Sequence, residues 1–265
     1  MAQLRILSYL PNPRVWKSTI AGRLCGVDVE VRGATPGELA EWLWDFDAKP
    51  IAEVDSAVVK AAERAGRIGF KGQTLYKTDA FLVANPFGTV PVAFSPDGNV
   101  GIFESNSIMR AVARLGGETF PLYGTNPYEA SRIDSFLDVS LVFATASQQY
   151  LFALRDKVIG RDVYERTRDS FTTYLGGLEA ALASGRETFS GDGITLADIC
   201  FACELALFHN EGPRAEVLAS NQMTALLPEG RKTFPRAFAH FDRLVSRPEF
   251  AADLGPYLAK LTKRG

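Results

Sequence analysis

The fold is decided by residues 85–106, which read NPFGTVPVAFSPDGNVGIFESN. Residues 90–94 form an apolar run that predicts a strand, and residues 100–103 predict the returning strand after a turn rich in Pro, Asp, Gly and Asn. A helix is predicted to begin near Ser105, with apolar residues at helical spacing, and to end at the glycine pair 116–117. This stretch therefore predicts a β-hairpin that leads directly into a helix.

Two details of the stretch point beyond fold. Pro91 lies at the start of a strand, where it has no N–H to donate, so it requires a special geometry such as a cis turn. Glu104 and Ser105 lie at the predicted helix N-terminus, where backbone N–H groups and the helix dipole favour a bound anion. The stretch thus predicts a special backbone geometry at Pro91 and, a short distance further along the chain, an anion site at the start of the helix.

At these residues the chain resembles the thioredoxin-like half of the glutathione transferase superfamily, whose members carry NP-x-G-x-VP before the hairpin and ES-x-x-I after it. The resemblance implies that Val90, the residue before Pro91, pairs with the backbone of the cysteinyl unit of glutathione. It also implies that Glu104 and Ser105 hold the γ-glutamyl end. The alternative is that the motif only builds the fold, as in relatives that no longer catalyse.

Composition and charge exclude several classes of protein. The 265 residues suffice for one large or two modest domains, and 46% hydrophobic with 23% charged residues is typical of a globular protein. A net charge of -2 provides no basic field for nucleic acid and no polybasic anchor. The sequence shows no signal peptide and no apolar run of transmembrane length. We therefore expect a cytoplasmic protein that binds neither nucleic acid nor membrane.

Cysteine and histidine usage argues against metal and disulfide chemistry. The three cysteines are an odd number, and Cys200 and Cys203, although spaced as C-x-x-C, fall inside an apolar helical run. They are expected to be small core residues. Only His209 and His240 are present, so no histidine-based metal site is expected.

The chain opens with a predicted βαβ unit. Leu4–Leu10 is apolar enough for a strand, the turn 11–13 reads Pro-Asn-Pro, and Arg14–Leu24 has helical spacing. Val27–Val31 alternates as a second strand. The resemblance identifies this unit as the start of a thioredoxin-like domain.

Residues 33–80 are an insertion relative to the family pattern, in which one short helix usually connects these elements. The insertion is expected to contain two helices, Pro36–Phe46 and Ile51–Arg64. One interpretation is a surface excursion that covers a sheet edge. The other is a lid over the ligand cleft or a subunit contact.

The second half is predicted to be helical, after a linker marked by Pro and Gly residues. Helices are expected over Tyr128–Ala146 and Arg161–Ala183, and Thr195 with Asp198 forms a capping box that resembles the superfamily's buried folding signature. The predicted fold is an α/β thioredoxin-like N-terminal domain, residues 1–118, plus an all-α C-terminal domain, residues 126–265: the glutathione transferase fold.

Catalysis with glutathione requires a group that stabilises the thiolate, because the free thiol has a pKa above neutral pH. In the family this donor is a tyrosine, serine or cysteine at or just after the first strand. Here the turn holds no serine or cysteine, so the side-chain amide of Asn12 is the catalytic candidate. Backbone N–H groups at the start of the first helix are the alternative, and Arg14 adds positive charge. Asn12 could also simply shape the turn.

The resemblance therefore implies a glutathione transferase that uses glutathione as a nucleophile on a hydrophobic, aromatic electrophile, in detoxification or aromatic catabolism. β-Aryl ether cleavage and dehalogenation are candidate reactions. The alternative follows from FESN-x-I and the first helix, which resemble the transferase-like domain of the gamma subunit of eukaryotic elongation factor 1B, largely an assembly module. A homodimer is expected, with a heterodimer with a paralogue as the alternative.

Overall fold

A computed structural model describes residues 2–67, 69–117, 120–183 and 185–263. The chain divides into two compact units, Met1–Phe120 and Pro121–Gly265. Residues 121–125, which the sequence suggests as a linker, lie in the second unit. There the carbonyl of Leu122 accepts a hydrogen bond from the N–H of Leu196 at 2.9 Å, and the Leu122 side chain is buried.

The first unit combines eight strands, five α-helices and one 3-10 helix (Ile51–Glu53) among its described residues. In chain order the strands and α-helices are β1 (Leu4–Tyr9), α1 (Pro13–Cys25), β2 (Val29–Ala34), α2 (Pro36–Leu39), β3 (Trp42–Trp44), β4 (Lys49–Pro50), α3 (Ser56–Ala61), β5 (Glu63–Ala65), β6 (Thr74–Lys77), α4 (Asp79–Ala84), β7 (Val92–Phe94), β8 (Gly101–Phe103) and α5 (Ser105–Gly116).

The first sheet has the strand order β2-β1-β7-β8. β1 pairs in parallel with β2, with Leu4 opposite Val29, because α1 crosses over between them. β7 pairs antiparallel with both β1 and β8, and α5 follows β8 at once. The predicted βαβ unit, hairpin and following helix are confirmed. The Val90–Pro91 peptide bond is cis, and β7 begins only after it, at Val92.

The two helices expected in residues 33–80 are each present only in part, and their predicted bounds are wrong, because this segment builds a second sheet with the order β4-β3-β6-β5. The first helix ends at Leu39, and the aromatic triplet Trp42–Trp44 forms β3, which runs parallel to β6. The second expected helix is reduced to Ser56–Ala61, and β5 pairs antiparallel with β6. Here the pairing with a strand about thirty residues downstream overrides the local helical propensity. A local sequence pattern does not reveal such a pairing.

The two sheets share one hydrophobic core. Trp44 and Phe70 from the segment, and Phe81 directly after it, pack in the same buried cluster as Val92 and Phe94 of the first sheet. Trp44 meets Phe70 and Phe81 edge to face, with ring centroids 5.5 and 5.9 Å apart. Residues 33–80 are therefore an integral part of the first unit's core.

The second unit is helical throughout its described residues. Its α-helices are α6 (Pro127–Arg155), α7 (Arg161–Ala181), α8 (Leu196–Phe208), α9 (Ala215–Ser220), α10 (Leu226–Thr233), α11 (Pro235–Ser246) and α12 (Pro248–Thr262). α6 continues nine residues beyond the predicted end at Ala146, since Tyr150, Leu151 and Leu154 extend its buried face. A 3-10 helix, His209–Arg214, connects α8 to α9.

Helix α8 is the centre of the second unit, with nearly every side chain buried, including those of Cys200 and Cys203, which form no disulfide. Its capping box is confirmed: the Asp198 carboxylate accepts from the N–H and hydroxyl of Thr195, each at 2.8 Å. The imidazole of His240 lies 2.8 Å from the same carboxylate. Among the helices of the described chain, none is both long and apolar enough to cross a membrane.

Candidate functional site

The N-terminus of α5 carries an unusual backbone conformation. Glu104, the residue before the helix, has φ 68° and ψ 122°, a region that residues with a Cβ rarely adopt. Its side chain is exposed, does not cap the helix, and has no hydrogen-bond or ion-pair partner in the described part of the chain. Such backbone conformations cost of order 1–3 kcal/mol and cluster at functional sites.

Ser105 begins α5 and meets a buried lysine from α1. Lys17, only 1% exposed, places its Nζ 3.3 Å from the Ser105 hydroxyl oxygen and 2.8 Å from Oδ1 of Asn106. An ammonium group can only donate, so the Ser105 oxygen is the acceptor in this contact. The proton of the Ser105 hydroxyl is then left for another acceptor, and none of the described residues takes it.

These groups give the site two opposite charges. The Lys17 ammonium and the positive end of α5 lie beside Ser105, and the Glu104 carboxylate is next to them in sequence. Since the Glu104 side chain leaves the helix N-terminus uncapped, α5 keeps its capacity for an anion. A zwitterion with an ammonium and a carboxylate on one carbon complements this pair.

The start of α1 differs, because it is already capped. Asn12 precedes the helix, and its Oδ1 accepts from the N–H of Arg14 at 3.0 Å. Pro13 has no N–H, and the N–H groups of Val15 and Trp16 bond to the Asn12 carbonyl at 3.0 and 3.4 Å. The N–H groups of Arg14, Val15 and Trp16 thus already have an acceptor within the first turn of α1.

The side chain of Asn12 is 1% exposed, and its Nδ2 donates to the Ser8 hydroxyl at 3.1 Å. A carboxamide nitrogen carries two N–H groups, and the second has no partner among the residues that the structure describes. Asn12 therefore has a capping role that the structure shows and one donor that it leaves unused.

Val90 and Pro91 are half-buried and joined by the cis peptide bond. Neither the N–H nor the carbonyl of Val90 forms a backbone hydrogen bond within the described chain. A peptide group that is partly buried and unpaired costs free energy unless a ligand or water satisfies it. This backbone is therefore suited to pairing with an extended ligand.

Sequence reasoning missed Lys17, although one signal was present. Lys17 lies three residues before Ile20 and four before Ala21, both buried, so helical spacing places the lysine on the inward face. A charged residue on an apolar face is rarely buried without a partner, which marks it for attention. The partner itself is 88 residues away in sequence and could not be found locally.

The fold and the likeness to known proteins together define a class of protein. Residues 161–243 match the family model of the glutathione S-transferase C-terminal domain. The chain belongs to the glutathione transferase superfamily. Within the superfamily it is similar to a probable elongation factor 1-gamma 1 of Arabidopsis thaliana, with 32% identity over 181 residues, covering 68% of this chain and 40% of that protein. The chain spans less than half the length of the curated relatives it matches.

Solved structures show the same fold. A glutathione S-transferase of Methylobacterium radiotolerans, in complex with glutathione sulfonate, matches with a TM-score of 0.62 and 20% identity over 95% of this chain and 94% of that one. Ure2p in complex with glutathione matches with a TM-score of 0.61 and 16% identity over 95% of this chain and 98% of that one.

Proposed function

We propose that the first unit binds glutathione and that the protein uses it as a nucleophile. The observation that carries this proposal is the exposed, unpartnered carboxylate of Glu104, held at a positive φ next to Ser105 and the Lys17 ammonium. The γ-glutamyl end of glutathione is a zwitterion. Glu104 would bind its ammonium, and the Ser105 hydroxyl with the N-terminus of α5 would bind its carboxylate.

The cysteinyl unit would pair with the free backbone of Val90 beside cis-Pro91, in the manner of a short antiparallel strand. Two fold neighbours carry glutathione or its sulfonate, which supports this class of ligand. The unused N–H of Asn12 is then the candidate donor to the sulfur.

The proposed reaction is a substitution at carbon. The thiol proton is lost to solvent, and the glutathione thiolate attacks an electrophilic carbon with its electron pair. A carbon–sulfur bond forms while an aryl oxide or a halide leaves with the bonding electrons. A donor such as Asn12 stabilises the thiolate more than the thiol and so lowers the pKa of the bound sulfur. A hydrophobic aromatic electrophile is the proposed substrate class, in detoxification or aromatic catabolism in the cytoplasm.

A non-catalytic role is the second candidate function. The elongation factor 1-gamma relatives favour it, because their likeness to this chain reaches 79% of its length. In that case the same first unit would serve as an assembly module, and its ligand site would be vestigial.

Titration calorimetry with glutathione tests the first proposal and separates the two candidates. We expect saturable binding in the micromolar to millimolar range, followed by turnover in a screen of aryl halides and β-aryl ethers. S-methylglutathione serves as a control that binds but supplies no thiolate. Absence of heat and of saturation at about 10 mM glutathione, a ΔG of only about -2.7 kcal/mol, would favour the assembly module.

We further propose that the protein is a homodimer, with a heterodimer with a paralogue as the alternative. Light scattering coupled to gel filtration measures the mass directly. A mass near twice 28.9 kDa at micromolar concentration is the expected result, and a monomer would contradict both versions.

A further inference from the structure

Lys77, the last residue of β6, is a buried cation that the motifs do not explain. It is 4% exposed, its Nζ donates to the carbonyl oxygen of Gly88 at 2.7 Å, and it lies 4.9 Å from the ring centre of Trp44. No carboxylate of the described chain pairs with it. Burial lowers the pKa of Lys77, and the nearby charge of Arg67 lowers it further. Burying an ammonium group without a carboxylate partner costs free energy, which suggests that Lys77 has a specific role.

The carbonyl that Lys77 holds is one of two neighbouring carbonyls fixed from inside the unit. The next one, of Thr89, accepts from Nδ2 of Asn85 at 2.7 Å. Asn85 is fully buried, and its own Oδ1 has no partner among the described residues. Two buried polar side chains, each incompletely compensated, thus fix the backbone of Gly88 and Thr89. Val90 follows Thr89 directly.

The position of Lys77 is set by the second sheet. Lys77 lies opposite Trp44 in the parallel pairing of β6 with β3. The indole of Trp44 is held in turn by a 3.0 Å hydrogen bond from Nε1 to the Leu39 carbonyl and by its edge-to-face contact with Phe81. The Lys77 ammonium therefore packs against an aromatic ring whose own position is fixed by these contacts.

We infer that Lys77 is a positioning residue for the ligand-binding backbone, an inference that rests on the proposed function. Lys77 and Asn85 turn the carbonyls of Gly88 and Thr89 inward, and this leaves the peptide of Val90 unpaired for the cysteinyl unit of glutathione. Residues 33–80 thus fix the proposed ligand-binding loop, residues 88–90, through the contact of Lys77 with the Gly88 carbonyl. This role is distinct from both the lid and the surface excursion expected from the sequence.

The test compares Lys77→Met, which keeps the aliphatic stem and removes the cation, with Lys71→Met, an exposed lysine of the same segment. The first readout needs no ligand. The N–H of Gly88 donates to the Asn85 carbonyl at 2.9 Å, so its hydrogen exchange reports loop opening. We expect exchange of this N–H to quicken by about tenfold or more in Lys77→Met and to stay unchanged in Lys71→Met.

The second readout is affinity for two ligands, glutathione and γ-glutamylmethylamide, which lacks the cysteinyl unit. Lys77→Met should weaken the binding of glutathione by about tenfold and leave the affinity for the smaller ligand unchanged, because one oriented contact is lost at the cysteinyl unit only. Asn85→Ala should reproduce both effects, and it carries the test if Lys77→Met does not fold.

The outcomes separate this inference from the proposed function. Wild-type exchange of the Gly88 N–H in both variants would overturn the inference, as would an equal loss of affinity for both ligands. A third outcome is faster exchange in the variants together with no glutathione binding by the wild type. It would support the role of Lys77 in fixing the loop and overturn the proposed function.

Discussion

The Nζ of Lys17 lies 3.3 Å from the hydroxyl oxygen of Ser105, although the two residues are 88 positions apart. This contact joins α1 to the first residue of α5 inside the first unit. It fixes the direction of a hydroxyl group, because the oxygen accepts from the ammonium and its proton must point elsewhere. The first two predictions follow from this geometry.

Ser105→Ala removes the hydroxyl proposed to donate to the γ-glutamyl carboxylate. We expect glutathione binding to weaken by about 1.5–3 kcal/mol, the range for one hydrogen bond to a charged group. The melting temperature should change little, since Ser105 is only half-buried and the Lys17 ammonium keeps its 2.8 Å contact with Asn106. Calorimetry and thermal unfolding measure the two quantities. Unaltered affinity in a folded variant would remove Ser105 from the site.

Lys17→Met tests whether the lysine acts through Ser105. Glutathione affinity should fall about tenfold in the wild-type background and less than twofold in Ser105→Ala, because the oriented hydroxyl is already absent there. Such a coupling, about 1 kcal/mol, is within the range for residues in contact. Lys60→Met, an exposed lysine on α3, is the control for a general charge effect. Equal losses in both backgrounds would mean that Lys17 acts independently of Ser105.

The lowered pKa of Lys77 predicts a pH dependence of stability. Between the lowered folded-state pKa and the ordinary value of 10.5, the unfolded chain binds more protons than the folded one. The free energy of unfolding should therefore rise with pH in this window, with a slope of at most about 1.4 kcal/mol per pH unit. Urea unfolding of wild type and Lys77→Met at several pH values isolates the contribution of Lys77 as the difference between their free energies of unfolding. A difference that stays flat up to pH 10 would contradict it.

The sequence predicted the parts of the fold that depend on local chemistry. The hairpin and α5 follow from the turn after Phe94 and from the start of a helical pattern at Ser105, and both are found in place. The position of Pro91 beside a predicted strand indicated a special geometry such as a cis turn, and its peptide bond is cis. Glu104 was placed at the helix N-terminus, but its positive φ was not predicted, because glutamate has no intrinsic preference for that region.

Long-range pairing could not be predicted in the same way. Trp42–Trp44 has a pattern compatible with a helix, and its strand exists because β6 lies alongside it. Lys17 and Lys77 also owe their roles to distant partners, Asn106 and Gly88. A single sequence reveals such lysines only as charges at inward-facing positions, without the atom that each one contacts.

The capping role of Asn12 determines how its catalytic role must be tested. Asn12→Ala removes both the acceptor for the Arg14 N–H and the proposed donor, so it should cost about 1 kcal/mol of stability in addition to any effect on the sulfur. Asn12→Asp keeps a capping oxygen and removes both side-chain N–H groups. Asn12→Ser keeps a capping oxygen together with one hydroxyl donor.

If the unused N–H of Asn12 donates to the sulfur, turnover on an aryl halide should fall about tenfold to a thousandfold in Asn12→Ala and Asn12→Asp. Asn12→Ser should retain more activity than either. Glutathione should still bind to all three variants, because the proposed contacts of its γ-glutamyl ammonium and carboxylate are with Glu104 and Ser105. The ultraviolet absorbance of the bound thiolate, titrated against pH, should shift to higher pH, most of all in Asn12→Asp, whose carboxylate repels the thiolate. An unchanged titration in a stably folded Asn12→Asp would assign Asn12 to the helix cap alone and leave the enzymatic proposal in need of another donor.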